Sequence, residues 1–206
     1  LIISVPFAIG TAIYLVEYAK RGSKLVSMIR LTTETLSGIP SIVYGLFGML
    51  FFVTALGWRL SLLAGAFTLA IMILPLIMRS TEEALLAVPD LYREGSFGLG
   101  AGRLRTVFKV VLPSAMPGVL AGVILAIGRI VGETAALLYT AGTATRLPDS
   151  IMKSGRTLSV HMYVLSNEGL HIGEAYATAA VLLIIVFAMN TLSAMVAKKI
   201  ARGSNG

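Results

Sequence analysis

The sequence predicts an all-α, polytopic membrane protein, and three observations carry that prediction. Of 206 residues, 56% are hydrophobic and only 13% are charged, where soluble domains carry about 25% charged residues. The apolar residues, which bring the mean hydropathy to +0.86, gather into runs near the roughly 20 residues that cross a bilayer's hydrocarbon core. Lys and Arg concentrate in alternate connections between those runs, as the positive-inside rule requires.

Five stretches have the length and composition of spans: residues 1–18, 36–57, 60–79, 114–140 and 173–197. The first is short and holds Pro6 and Gly10, residues that membrane helices tolerate because neighbours satisfy the freed backbone. The chain opens on an apolar run with no Met and no charged leader. It is therefore expected to be a fragment lacking an N-terminal helix. Between the third and fourth spans lies a long polar island. Residues 80–97 favour helix, with Ser80 or Thr81 as N-cap, Glu82 and Glu83 in the first turn and a break near Pro89. Gly98, Gly100 and Gly102 then offer a sharp reversal. A second amphipathic helix over 103–112 sets Leu104, Val107, Phe108 and Val111 on one face. The fourth span carries two small-xxx-small pairs, Gly118/Gly122 and Gly128/Gly132, which let neighbouring helices approach. Residues 141–172 are polar, and the spacing of Leu158, His161, Met162, Val164 and Leu165 predicts a short interfacial or lid-like helix. The whole reads as a single transmembrane domain, 1–206, with a loop at 80–113.

Orientation follows from charge. One set of connections holds Lys20, Arg21, Lys24, Arg30, Arg79, Arg93, Arg103, Arg105, Lys109, Lys198, Lys199 and Arg202; the other holds Arg59, Arg146, Lys153 and Arg156. Twelve against four places the loop and the C-terminus in the cytoplasm, in a multi-pass protein of the inner (plasma) membrane.

Composition also narrows function. There is no cysteine, hence no disulfide, thiol nucleophile or thiolate metal site. The net charge of +7 is interleaved with the spans, which argues for a lipid bilayer and against nucleic acid. The glycines at 98–102 match neither nucleotide-binding fingerprint, so this chain is not expected to hydrolyse ATP. His161 and His171 lack a third ligand, and Asp90 and Asp149 fall on opposite membrane faces, so neither a metal site nor an enzyme is expected. Glu17 and Glu34 are expected to pair with basic residues at the inner interface.

Arg129 and Glu133 lie inside the fourth span. A charge at that depth costs about 2.5–3.5 kcal/mol on insertion scales, so it faces a bundle interior or an aqueous path. Four residues apart, the two share a helix face and can reach one another. One reading is a self-neutralising pair that fixes packing. The other is an arginine that meets an anion in transit, held by the glutamate until it arrives. Thr134 either donates to that anion or bonds back to its own helix. Ser41 and Tyr44 line the path or serve packing.

The order Glu94, five residues, Gly100, nine residues, Val110, one residue, Leu112-Pro113 resembles the EAA loop of binding-protein-dependent ABC importer permeases of type I. Gly95 and Ser96 stand where two alanines are usual, and Val110 where isoleucine is usual. The resemblance implies the MetI-like fold and an ATPase-coupling loop comprising Glu94, Gly95, Ser96, Gly98, Gly100, Arg103, Leu112 and Pro113. Three further segments, Ala12-Ile-Tyr-Leu-Val-Glu-Tyr-Ala19, Gly38-Ile-Pro-Ser-Ile-Val-Tyr-Gly45 and Arg129-Ile-Val-Gly-Glu-Thr-Ala135, resemble the phosphate permeases of the Pst system. The continuation Ala136-Leu-Leu-Tyr-Thr-Ala-Gly142 is more similar to the PstA branch than to PstC. That implies a phosphate path past Arg129, Glu133, Thr134, Ser41 and Tyr44. It also implies a homodimer of ATP-binding cassette subunits holding ATP and Mg, a second, PstC-like permease subunit and an extracytoplasmic phosphate-binding protein. This chain itself binds no cofactor. The rival readings are a permease for molybdate, sulfate or phosphonate, and an ATP-independent channel or carrier, which often shows an internal repeat that is not evident here.

Overall fold

The computed structural model describes residues 1–20 and 22–203, with side chains described as far as residue 197. Arg21, Lys198, Lys199 and Arg202 from the charge count therefore lie outside the described side chains. Every regular element among the described residues is helical. In order they are α1 (Ser4–Ile13, continued by a π-helical turn Tyr14–Tyr18), α2 (Lys24–Ser37), α3 (Ser41–Gly48, continued by a π-helical stretch Met49–Ala55) and α4 (Leu62–Leu86). Then follow α5 (Asp90–Gly98), α6 (Arg103–Thr106, continued by a π-helical turn Val107–Val111), α7 (Leu112–Gly132), α8 (Ala135–Thr140), α9 (Leu158–Glu168) and α10 (Ile172–Gly203).

Among the described residues, three helices are long and apolar enough to cross a bilayer: Leu62–Leu86, Arg103–Gly132 and Ile172–Ala197. The chain is a multi-pass membrane protein. All five apolar stretches are helical, but several boundaries differ from the sequence reading. The second stretch does not start at 36. Gly38 and Pro40 break the chain, since the residue before proline avoids the α region, so that one helix ends at Ser37 and the next starts at Ser41. The preceding basic connection, expected to be a loop, is the 14-residue helix α2, none of it buried. Ser80 and Thr81 cap nothing, because α4 runs straight through them to Leu86 and buries Thr81 completely. The break near Pro89 is present, and α5 starts just after it. Arg103 to Leu112 is not a separate helix but the first part of a continuous 30-residue one. Pro113 is accommodated because the π turn before it moves the backbone bonding to longer range. The fourth stretch breaks at Glu133 and Thr134, so 114–140 is two helices.

The chain forms two compact units, and α4, α7 and α10 each contribute to both. One unit comprises residues 1–37, 74–126 and 191–206. Within it α7 crosses α4 closely: a Cβ on Gly122 would lie 2.2 Å from Ser80 Oγ, and one on Gly118 2.6 Å from Ala84 Cβ. That glycine pair works as the sequence implies. Gly132 of the other pair has nothing within 4 Å, and Gly128 only an ordinary contact with Asn190.

The second unit comprises residues 38–73 and 127–190. Here α3 packs on α8 so tightly that a Cβ on Gly45 would stand 2.9 Å from Ala136 Cα. The start of α4 is buried, and its orphan N–H groups must find acceptors. They do: Leu62 N donates to Lys153 O (3.0 Å), Leu63 N to Ile151 O (2.9 Å) and Ala64 N to Ser61 Oγ (3.2 Å). The predicted short helix is α9, capped by Thr157 and ended by left-handed Gly169. It does not float as a lid, since Val160 packs with Leu137 and Ala141 in the core. Beyond α8, Lys153 Nζ donates to Asp149 Oδ2 (2.7 Å), and this hydrogen bond holds the Asp149 carboxyl below its ordinary value.

Candidate functional site

The polar loop is built on α5 and α6, both in the first unit. Glu94 projects from the middle of α5 into solvent. Gly95 beside it is exposed, with nothing near its absent Cβ. Ser96 Oγ lies 2.8 Å from Thr106 Oγ1, which is buried, so this departure from alanine gives α5 a polar tie to α6. Helix α5 then ends in a Schellman motif: Ala101 N donates to Ser96 O (3.1 Å) and Gly100 N to Phe97 O (2.9 Å). Gly100 is the left-handed residue this motif requires, at φ 82°. Of the three glycines assigned to the reversal, only Gly100 makes it. Gly98 is the last helical residue of α5, and Gly102 is extended, at ψ 161°. Leu99, at the apex, is 92% exposed. Arg103 lies over the Tyr18 ring, 5.5 Å from its centroid. Leu112 and Pro113 are half-buried where the helix enters its apolar stretch.

The residue beside Glu94 ties the loop down. Arg93 Nη2 donates to Glu17 Oε1 at 2.7 Å and Nε to the same oxygen at 3.1 Å, across 76 residues of sequence. Glu17 thus pairs with a basic residue as expected, but the particular arginine could not be chosen from sequence. Three arginines and a lysine occupy that loop, and nothing in their spacing marks one. No pairing of Glu34 is found among the described side-chain ion pairs.

The membrane residues Ser41, Tyr44, Arg129, Glu133 and Thr134 all fall in the second unit. Arg129 sits in the last turn of α7, where a cation meets the partial negative charge of the helix end. It is exposed on this chain, whereas Tyr44 of α3, in the same unit, is buried. Ser41 is half-buried in the first turn of α3, three residues before Tyr44. The expected Arg129–Glu133 ion pair is absent: among the described residues Arg129 meets no carboxylate. The reason is local. Helix α7 ends at Gly132, so the i,i+4 geometry never forms. The buried Glu133 instead accepts from Ala136 N at 3.0 Å, satisfying one of the free N–H groups at the start of α8. Its carbonyl accepts from Ser159 Oγ at 2.7 Å, which ties the break to α9. Thr134 Oγ1 donates back to Gly132 O at 3.4 Å. The guanidinium and the carboxylate are thus separated, one facing outward and one serving the fold.

Apolar helices joined by an exposed, firmly capped polar helix pair have the build of a membrane transport subunit. The sequence profile of the family described as "Binding-protein-dependent transport system inner membrane component" matches residues 4–203, and the chain belongs to that family. It is a permease of the ABC importer class. "Probable ABC transporter permease protein YqgI" of Bacillus subtilis is 39% identical over 97% of this chain and 74% of its own length. "Phosphate transport system permease protein PstA 1" of Mycobacterium tuberculosis is 34% identical over 95% of this chain and 64% of its own. This chain thus spans 74% and 64% of those two relatives. Among solved structures, the inward-facing MetNI methionine ABC transporter matches with a TM-score of 0.74 and 21% identity, over 97% of this chain and 86% of that one. That likeness concerns the fold.

Proposed function

We propose that this chain is the membrane subunit of an ATP-driven importer of inorganic phosphate. It would work with a PstC-like second permease, a pair of ATP-binding cassettes that carry ATP and Mg, and an external phosphate-binding protein. The observation that carries the anion assignment is Arg129: a guanidinium in a membrane chain, exposed in the last turn of α7, that meets no carboxylate among the described residues. Its planar fork of donors suits a tetrahedral oxyanion, and the 34% identity to a phosphate permease supports phosphate as that oxyanion. One unpaired guanidinium, without a closed cage, also suits transit, since an ion bound too tightly would not leave.

On this reading Glu94 to Gly100 docks into the ATP-binding subunit, and the Lys and Arg asymmetry puts that face and the C-terminus in the cytoplasm. Closure of the ATPase dimer moves the loop, and the helices rock around the path. Glu133 holds the break between α7 and α8, which places Arg129 at the end of its helix.

The test is the complete transporter in proteoliposomes with labelled phosphate. Arg129→Ala removes charge-assisted hydrogen bonds of about 1.5–3 kcal/mol, roughly 10- to 150-fold in rate. The ATPase subunit still co-purifies. Near-normal uptake in that variant would sink the assignment. The Bacillus subtilis relative is known only as a probable ABC permease, so the rival is a second oxyanion; inhibition by sulfate or molybdate below the phosphate concentration would favour it.

A further inference from the structure

We infer that Arg93 is a positioning residue that makes α1 travel with the coupling helix, by way of Glu17. The inference rests on the reading of α5 as that helix. Arg93 and Glu17 are the most buried ion pair among the described residues, with side chains 14% and 8% exposed. All five N–H groups of the guanidinium have acceptors. Nε donates to Glu17 Oε1 (3.1 Å) and, more weakly, Oε2 (3.5 Å). Nη2 donates to Glu17 Oε1 (2.7 Å) and Leu85 O (2.9 Å), and Nη1 to Val88 O (2.8 Å) and Asp90 Oδ1 (3.2 Å). These acceptors come from three places: the π-helical end of α1, the chain leaving α4, and the first turn of α5.

A buried ion pair is weak evidence for stability, because desolvation offsets the attraction. What this one supplies is geometry. A planar fork with five fixed donors admits one arrangement of its neighbours, whereas a lysine makes three bonds in adjustable directions. The stacking of Arg103 on Tyr18 adds a second link between the same segment of α1 and the loop. A push on α5 therefore reaches α1 directly, without relying on apolar contacts that can slide.

The experiment uses the assembled transporter with its ATPase and binding protein. Arg93→Lys and Glu17→Gln are the conservative variants. Both are expected to retain the ATPase subunit and ATP hydrolysis within about twofold, while phosphate moved per ATP falls at least fivefold. Unchanged phosphate per ATP in both, or loss of the ATPase subunit from Arg93→Lys, overturns the inference. Loss of the ATPase subunit from the unmodified chain would instead count against the coupling reading itself. A second measurement does not depend on the variants folding. The chain has no cysteine, so spin labels can be placed through Tyr14→Cys and Leu91→Cys, both exposed. Their separation is expected to stay constant between nucleotide-free and ATP-trapped states. A shift beyond roughly 3 Å, about two residues of helix rise, overturns it.

Discussion

Glu133 and Arg129 illustrate how one backbone break reassigns two charges. With a continuous helix they would be partners; with α7 ended at Gly132, each answers to a different part of the structure. No proline marks that break, and Gly132 is compatible with a membrane helix, so periodicity alone ran through it. Gly45 shows the opposite case, a residue whose role is invisible until packing is known. Its missing Cβ lets α3 lie against the backbone of Ala136, which is fixed in turn by Glu133. Gly45→Ala therefore pushes α3 from α8 and displaces the adjoining Tyr44. Overpacking of this kind costs about 1–3 kcal/mol, expected as a lower Tm of the purified complex and reduced uptake. Gly132→Ala, with nothing within 4 Å of the added carbon, is the control and should not lower Tm.

At the level of elements, what hydropathy reads well is where apolar helix exists, and what it reads poorly is where one helix becomes another. The apolar runs that became α4, α7 and α10 were legible because nothing else in the chain is so apolar for so long. Helix α2 was not, because Lys24, Arg30, Glu34 and its run of threonines look like a solvated connection, and none of its residues is fully buried. The junction at Pro113 was misread because a π turn is not encoded in any spacing rule. In the loop the reversal was legible as glycine-rich, but only backbone geometry separates the glycine that needs its freedom from those that do not. At φ 82°, an alanine replacing Gly100 meets the left-handed penalty of roughly 1–2 kcal/mol. Gly95 sits mid-helix with free space around it, where alanine is better by about 0.5–1 kcal/mol. Gly95→Ala should thus raise Tm and keep ATPase capture, while Gly100→Ala should lower both; thermal unfolding and co-purification check the pair.

For the whole molecule, the proposed function requires one orientation: the α5–α6 apex in the cytoplasm, with the 143–153 segment outside. Leu99 at the apex is 92% exposed and Leu147 in the opposite segment 89% exposed, so a thiol at either place is free to react on the isolated chain. The sequence has no cysteine to compete. In intact cells a membrane-impermeant maleimide should label Leu147→Cys and leave Leu99→Cys untouched until the membrane is opened. Even then, Leu99→Cys should react slowly while the ATPase subunit is bound and quickly once it is stripped away, because a docked loop is a covered one. Labelling of Leu99→Cys from outside reverses the bundle and removes any means for a cytoplasmic ATPase to reach α5. Labelling after opening that is indifferent to the ATPase leaves the orientation standing and discards the dock.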